Sequence, residues 1–592
     1  VAGKTKVMVA ATAALTLGLT AACGGGSDDN NSSNGSSSDS GAAFNAAATK
    51  IVNASDKKGG TLNLWSPQDA DSFDPAVSYY AWTINMNRLY SRTLMTYTPK
   101  PGADGLILTP DLAQAAPEVS ADGKTYTFKL KSGLKFDDGT AITSKDIKYG
   151  IERIFAQDVV PGGPLYLKDE LDQGQNYPGP YKDTDPNKLG LKTVETPDDS
   201  TIIFKLKDAN ANFPYELSLP GGAPVPQKRD TGAKYGLAPA SSGPYKFESI
   251  EPGKGATLVR NTNWDASTDT NRKALPDKIT LTITTNAEDM DSRLLAGTAD
   301  MDASQSGVAT QARTQILTDE KLKANAANPN NGFIRYAAIS QNVAPFDNIE
   351  CRKAVVYASD PTTLQTARGG PVAGGDIATN MLPPNILGAD KSYDPYGRAQ
   401  GKPQVDKAKA ALTACGKATG FNTKIAVRNN KPAEIATATA LQASLKTVGI
   451  NATIEQYDGS QIATVVGSPN NVHQKGYGIM IAGWGADFPT GYGYLAPLAS
   501  SKFLVANGNY NLPEIKDPAI DALFAKGLAE KDATAAGTDY QDANKKVMDG
   551  FYYLPFVFDK ALNYYNPRLT NVYFHSGLAM VDFASLGVSD GK

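Results

Sequence analysis

The run KTYTFKLKSG sets Tyr126, Phe128 and Leu130 at alternate positions between polar neighbours, the period of a half-buried strand. The period then changes. Thr143 with Asp146 three places later forms a capping box, and Ile147, Ile151, Ile154 and Phe155 fall on one face of the helix that it opens. SGPYKFESIEPGKGATLVRN reads as a hairpin turning over residues 251–255 between Phe247 and Leu258, and KITLTIT starts another strand near Lys278. In the second half the pattern predicts a helix over about 433–448, a stop at Gly449 and a strand through Ile454. Helix followed by strand points to an α/β fold. The apolar strand over 479–482 runs directly into Gly483-Trp484, so IAGWGADFPTGYGYL lies just past a strand end, where open α/β sheets gather ligands. Asp487, three residues after Trp484, is the carboxylate this position singles out. Either it faces a cleft or it caps a turn ahead of Pro489.

At 592 residues the chain exceeds what one ordinary core fills, so two or more domains, or one two-lobed body, are expected. Lys+Arg 58 against Asp+Glu 61 leaves −3 with no long basic run, which gives no footprint for nucleic acid. Two histidines, His473 and His575, and three cysteines without a CxxC spacing supply no His/Cys metal cluster. GxSxG, HExxH and GxxxxGK[ST] are all missing from the sequence, so the chain reads as a non-enzyme with no cofactor, and any energy source must be another chain.

Lys4 and Lys6 precede an apolar stretch over 7–19, an export signal too short for a permanent membrane span. Thr20-Ala21-Ala22-Cys23 followed by Gly-Gly-Gly-Ser resembles the bacterial lipoprotein signal. This implies a signal peptide over 1–22 and a diacylated Cys23 that holds the protein to the outer face of the cell membrane. Residues 24–42 contain nothing bulkier than aspartate or asparagine and cannot offset the cost of ordering, so 23–58 is expected to be a lipidated flexible tether, with a short helix within 43–54. Export also places Cys351 and Cys415 in an oxidising compartment. A disulfide between them is expected, the alternative being two buried thiols.

Several segments carry a resemblance in colinear order. They are Pro110-Asp111-Leu112-Ala113 through Tyr126-Thr127-Phe128, Leu134-Lys135-Phe136-Asp137-Asp138-Gly139-Thr140, and Ser144-Lys145-Asp146-Ile147. Further on come Ser242-Gly243-Pro244-Tyr245, Asn261 to Trp264, Gly297 with Asp300, Pro345-Phe346-Asp347 into Arg352-Lys353-Ala354-Val355, and Gly483-Trp484 with Asp487. Over roughly residues 60–592 the chain resembles the extracytoplasmic solute-binding proteins of peptide-type ABC importers. The resemblance implies a two-lobed α/β fold of the periplasmic-binding-protein type (type II, large peptide-binding subclass). Lobe I would take 59–284 and 553–592, with an extra subdomain over about 92–225, and lobe II would take 285–552. It implies a monomer that closes on a peptide and delivers it to permease subunits with a separate ATPase. Asp487 matches the acid that pairs with the ligand's α-amino group, with Gly483 and Trp484 beside it. Tyr79, Tyr80 and Trp82, after Asp74-Pro75, line the cleft or pack in the core. Two other functions stay open: capture of another solute, such as an oligosaccharide or metal chelate, and a surface receptor that retains the fold. The glycine- and proline-rich segment 158–198 reads as a surface loop with no assigned role.

Overall fold

The alternation in TLNLWS buries Leu62 and Leu64 and seeds the first sheet of the protein, whose computed structural model describes residues 43–590. The expected signal peptide, Cys23 and residues 24–42 lie outside the described residues. In this five-stranded sheet Thr61–Ser66 lies parallel to Lys278–Ile283 on one side and to Met301–Asp302 on the other, and the hairpin Tyr245–Glu251/Gly255–Arg260 completes it. Gly255 is required at that turn. Its φ is +141°, and a Cβ there would collide with the Leu281 carbonyl oxygen of the neighbouring strand.

A separate four-stranded sheet follows, in the order Glu118–Val119, Thr125–Lys129, Thr201–Lys205, Val194–Asp198. Helix Ser144–Arg153 covers it, opened by the Thr143 N–H donating to the Asp146 carboxylate at 2.8 Å, with Ile147, Ile151 and Ile154 buried. The last residue of that helix locks the subdomain to the first lobe. Arg153 donates from both terminal nitrogens to Asp74 at 2.8 and 2.7 Å and pairs with Asp230 at 3.1 Å, all three side chains being buried or nearly so.

The second lobe is built on a six-stranded sheet in the order Asp376–Ile377, Tyr553–Lys560, Asn330–Ile339, Ile479–Trp484, Asn422–Arg428, Asn451–Tyr457. Helix Pro432–Lys446 joins its parallel pair Asn422–Arg428 and Asn451–Tyr457. Cys351, in helix Ile349–Ala358, is bonded to Cys415, which caps helix Val405–Ala414, with Cα atoms 5.4 Å apart.

Three expected boundaries are corrected. Lobe II does not begin at 285: helix Ala287–Leu295 packs its Met290 and Leu294 in a cluster with Ala326 and Leu562, and Met301–Asp302 pairs with the first sheet, so the chain crosses only before Asn330. Nor does it return at 553. Tyr553–Phe558 is buried on both faces, which suits an interior strand of the second sheet, and the return comes with Asn563–Tyr564 pairing to Ala326–Ala327. The tether does not extend to 58 either. Ala46 and Ala47 are buried, the Asn45 N–H donates to the Ala326 carbonyl at 3.0 Å, and Val52 bridges Val572, so these residues are part of the body. The helix expected within 43–54 is a single turn, Ala46–Ala48, and Asn53 at φ +52° cannot continue one.

Candidate ligand site between the lobes

Strand Ile479–Trp484 is an interior strand of the second sheet, and glycines let its end press close to its neighbour. A Cβ on Gly483 would lie 2.7 Å from an Arg335 terminal nitrogen, and one on Gly485 would lie 2.8 Å from the Phe333 ring. Arg335 is itself held by Asp559 at 2.6 and 2.8 Å. Trp484 packs on Tyr510 with ring centroids 4.9 Å apart, and its carbonyl accepts from the Tyr494 hydroxyl at 3.1 Å. The chain leaves the strand pinned on both sides, and Asp487 stands at the point where it reaches the opposite lobe.

Both hydrogen bonds to the Asp487 carboxylate come from that lobe. The Tyr79 hydroxyl donates to Oδ2 at 3.0 Å and the Tyr166 hydroxyl to the same oxygen at 2.5 Å. Asp487 does not cap the turn; the N-cap of helix Gly491–Ala499 is Thr490, whose Oγ1 accepts from the Gly493 N–H at 3.1 Å. Burial raises the Asp487 carboxyl above its ordinary value, against the pull of the two phenols. Burial, followed by the facing carboxylate, pushes both phenols up as well. Among the described residues the partners of this partly buried carboxylate are two neutral donors and no cation, a place where an ammonium group would be favoured.

The expected aromatic cluster divides. Tyr79 and Tyr80 are about half exposed, at 47% and 48%, and the Asp71 carboxylate accepts from their backbone N–H groups at 2.5 and 2.8 Å. Trp82 does not line the cleft. It is 2% exposed in the core of the first lobe, on the same face of helix Ala81–Tyr90 as Met86 and Leu89. Tyr166 is not among the expected site residues. It lies in the segment read as a loop without a role, which in fact contains helix Tyr166–Leu171, strand Val194–Asp198 and the buried Tyr177 and Leu191.

The lobes touch around this carboxylate. Phe488 packs on Tyr166 and Tyr215 of the first lobe with centroids 5.3 and 6.5 Å apart, the Ala211 N–H donates to the Leu528 carbonyl at 3.0 Å, and Asn212 donates to the Tyr540 hydroxyl at 3.2 Å.

Two lobes linked by two crossings, with a charged group where they meet, define a binding protein that holds a solute between them. Residues 108–503 match the model of the bacterial extracellular solute-binding proteins, family 5 (middle), and the chain belongs to that family. The solved structure of the clavulanic acid biosynthesis oligopeptide binding protein 2 is similar, with 41% sequence identity and a TM-score of 0.87 over 93% of this chain and 99% of that one. The chain is also 26% identical over 532 residues to the probable D,D-dipeptide-binding periplasmic protein DdpA of Escherichia coli, covering 86% of this chain and 93% of that protein. A further relative is heme-binding protein A of Haemophilus influenzae, 25% identical over 539 residues, covering 83% of this chain and 89% of that protein. The protein is therefore an extracytoplasmic solute-binding protein of the peptide-type ABC class, with the type II fold that the motif series implied.

Proposed function

We propose that this protein captures peptides in the cleft between its lobes and delivers them to the membrane permease of an ABC importer, and that Asp487 receives the ligand's α-amino group. The observation that carries the assignment is the Asp487 carboxylate, placed where the lobes meet and hydrogen-bonded by two phenols of the opposite lobe. An incoming ammonium group gives it the cation it lacks, and Tyr79, half exposed, is the donor that yields. Gly483 and Trp484 fix the approach of that carboxylate, and Tyr80 stands exposed at the cleft edge. Peptide-binding relatives support the ligand class. Heme-binding protein A of Haemophilus influenzae keeps a second reading in view, another solute in the same cleft, and the carboxylate discriminates between them because it serves an amine.

The test is calorimetry with a free-amine peptide and its N-acetylated form. Asp487→Asn is expected to weaken the free-amine peptide by roughly 2–5 kcal/mol, as for one partner removed from a buried pair. Equal affinity for the two peptides in the unaltered protein rejects the assignment. Anchoring belongs to the same reading: the acylated Cys23 tethers a monomer at the outer face of the membrane, and Cys23→Ser should move the protein into the medium. Membrane association that survives the substitution counts against a lipid at this residue.

A further inference from the structure

Behind Tyr166 and Phe488 the lobes border a partly open cavity of about 270 Å³, many times the roughly 10–15 Å³ that one water needs on the same measure. Its first-lobe wall is acidic: Asp169 and Glu170 from helix Tyr166–Leu171, then Asp208, then Glu216 from helix Phe213–Leu217. The second lobe closes it with the rings of Phe488 and Tyr492 and with one cation, Lys502. Glu216 is 4% exposed. Its Oε1 accepts from the Asn210 side chain at 2.9 Å, while its Oε2 is buried with no hydrogen-bond partner. Three of the four acids also line an outer depression of about 540 Å³, together with Lys168 and Lys207, so an acidic strip leads inward to Glu216.

An unpartnered buried carboxyl oxygen is costly to leave and favourable to satisfy. Among the described residues no group of three or more histidine, cysteine, aspartate or glutamate side chains is placed to hold a metal ion. Carboxylates facing aromatic rings instead suit an organic cation, whose N–H groups meet the acids while its flat or alkyl part lies on the rings. We propose that this cavity is a subsite for the cationic side chain of a bound peptide, a guanidinium or ammonium group entering between Glu216 and the Phe488–Tyr492 wall. The assignment rests on the peptide reading above and extends it, since Asp487 and Phe488 are adjacent and Tyr166 serves both places, its hydroxyl on Asp487 and its ring on the cavity.

The same group gives the binding a pH signature. Burial first, then Glu170, pushes the Glu216 carboxyl up to about 8. The charged and titratable groups around it are Asp169, Glu170, Asp208 and Lys502, with the phenols of Tyr126, Tyr166 and Tyr492. A cation beside Glu216 draws off its proton, so binding at pH 7 releases a proton and tightens as the pH rises towards 8.

The experiment is calorimetry on the whole protein, stripped of any co-purified solute, with tetra-alanine and with tetrapeptides in which each alanine in turn is replaced by arginine or by its neutral isostere citrulline. At one position arginine is expected to bind on the order of tenfold or more tighter than citrulline, with a heat that varies with the ionisation enthalpy of the buffer. Glu216→Gln is expected to bring that ratio below twofold, and Glu170→Gln, at the outer side of the cavity, to lower it. Equal affinity for arginine and citrulline peptides at every position, with tetra-alanine still bound, overturns the cavity assignment and leaves the peptide reading intact. Free arginine binding as tightly as the best peptide overturns it too, by giving the cavity to a lone amino acid. Failure of every peptide to bind removes both readings.

Discussion

Glu216 and Glu152 bury carboxyls that burial pushes up to about 8 in each case, from an ordinary value of 4.5. Between these limits the folded chain holds protons that the unfolded chain has released, so stability falls as the pH rises from about 4.5 to about 8. Glu216→Gln keeps an acceptor for Asn210 and abolishes one of the two titrations. It is therefore expected to raise the melting temperature of the empty protein at pH 8 and to change it far less at pH 5; an equal effect at both values would mean that Glu216 is ionised throughout. Residues of this kind were beyond sequence reasoning, because the shift comes from what folds over them. The place of Asp487 just past a strand end was legible, since the apolar run from Ile479 stops at the glycines that follow it. Tyr166 was not, because nothing local in a glycine- and proline-rich segment shows that its hydroxyl meets a carboxylate 321 residues away. Trp82 is a different case. Its spacing to Met86 and Leu89, four and seven residues on, already described a buried helical face.

At the scale of elements, patterns with a single period were legible and those that depend on sheet membership were not. The predicted strand over 479–482 and helix over 433–448 correspond to Ile479–Trp484 and Pro432–Lys446, because each has one apolar face or run that only one element type can bury. The lobe boundaries differ because local pattern does not say which sheet a strand joins. Tyr553–Lys560 opens on six apolar residues, Tyr553 to Phe558, which marks an interior strand, but its partners, Asn330–Ile339 and Asp376–Ile377, lie more than 170 residues earlier. The disulfide between Cys351 and Cys415 shows the same limit: an even cysteine count in an exported chain allows it, and only the packing of helix Ile349–Ala358 on helix Val405–Ala414 brings the sulfurs together. The bond closes a loop across 64 residues, a span for which chain entropy gives on the order of 4 kcal/mol, and it ties together two helices remote from Asp487 in sequence.

For the whole molecule, the contacts around Asp487 are expected to favour the closed arrangement of the lobes before a ligand arrives. Two phenol–carboxylate hydrogen bonds and the packing of Phe488 on Tyr166 and Tyr215 hold the lobes together. The crossings near residues 328–330 and 560–563 are short connections about which the lobes can swing. A hydrogen bond to a charged group contributes roughly 1.5–3 kcal/mol when buried, and less at the half-exposed Tyr79, so losing both should lower the closed-to-open ratio by on the order of tenfold or more. Tyr79→Phe with Tyr166→Phe keeps the rings and removes only the donors. Small-angle scattering of the ligand-free double variant is expected to show a larger radius of gyration than that of the unaltered protein, and saturating peptide is expected to restore the compact form, because an ammonium group bound to Asp487 and to the first lobe replaces what the phenols supplied. If the ligand-free variant scatters as the unaltered protein does, the phenols do not hold the lobes, and closure rests on the other contacts between them, among them the Phe488 packing and the Ala211–Leu528 and Asn212–Tyr540 hydrogen bonds.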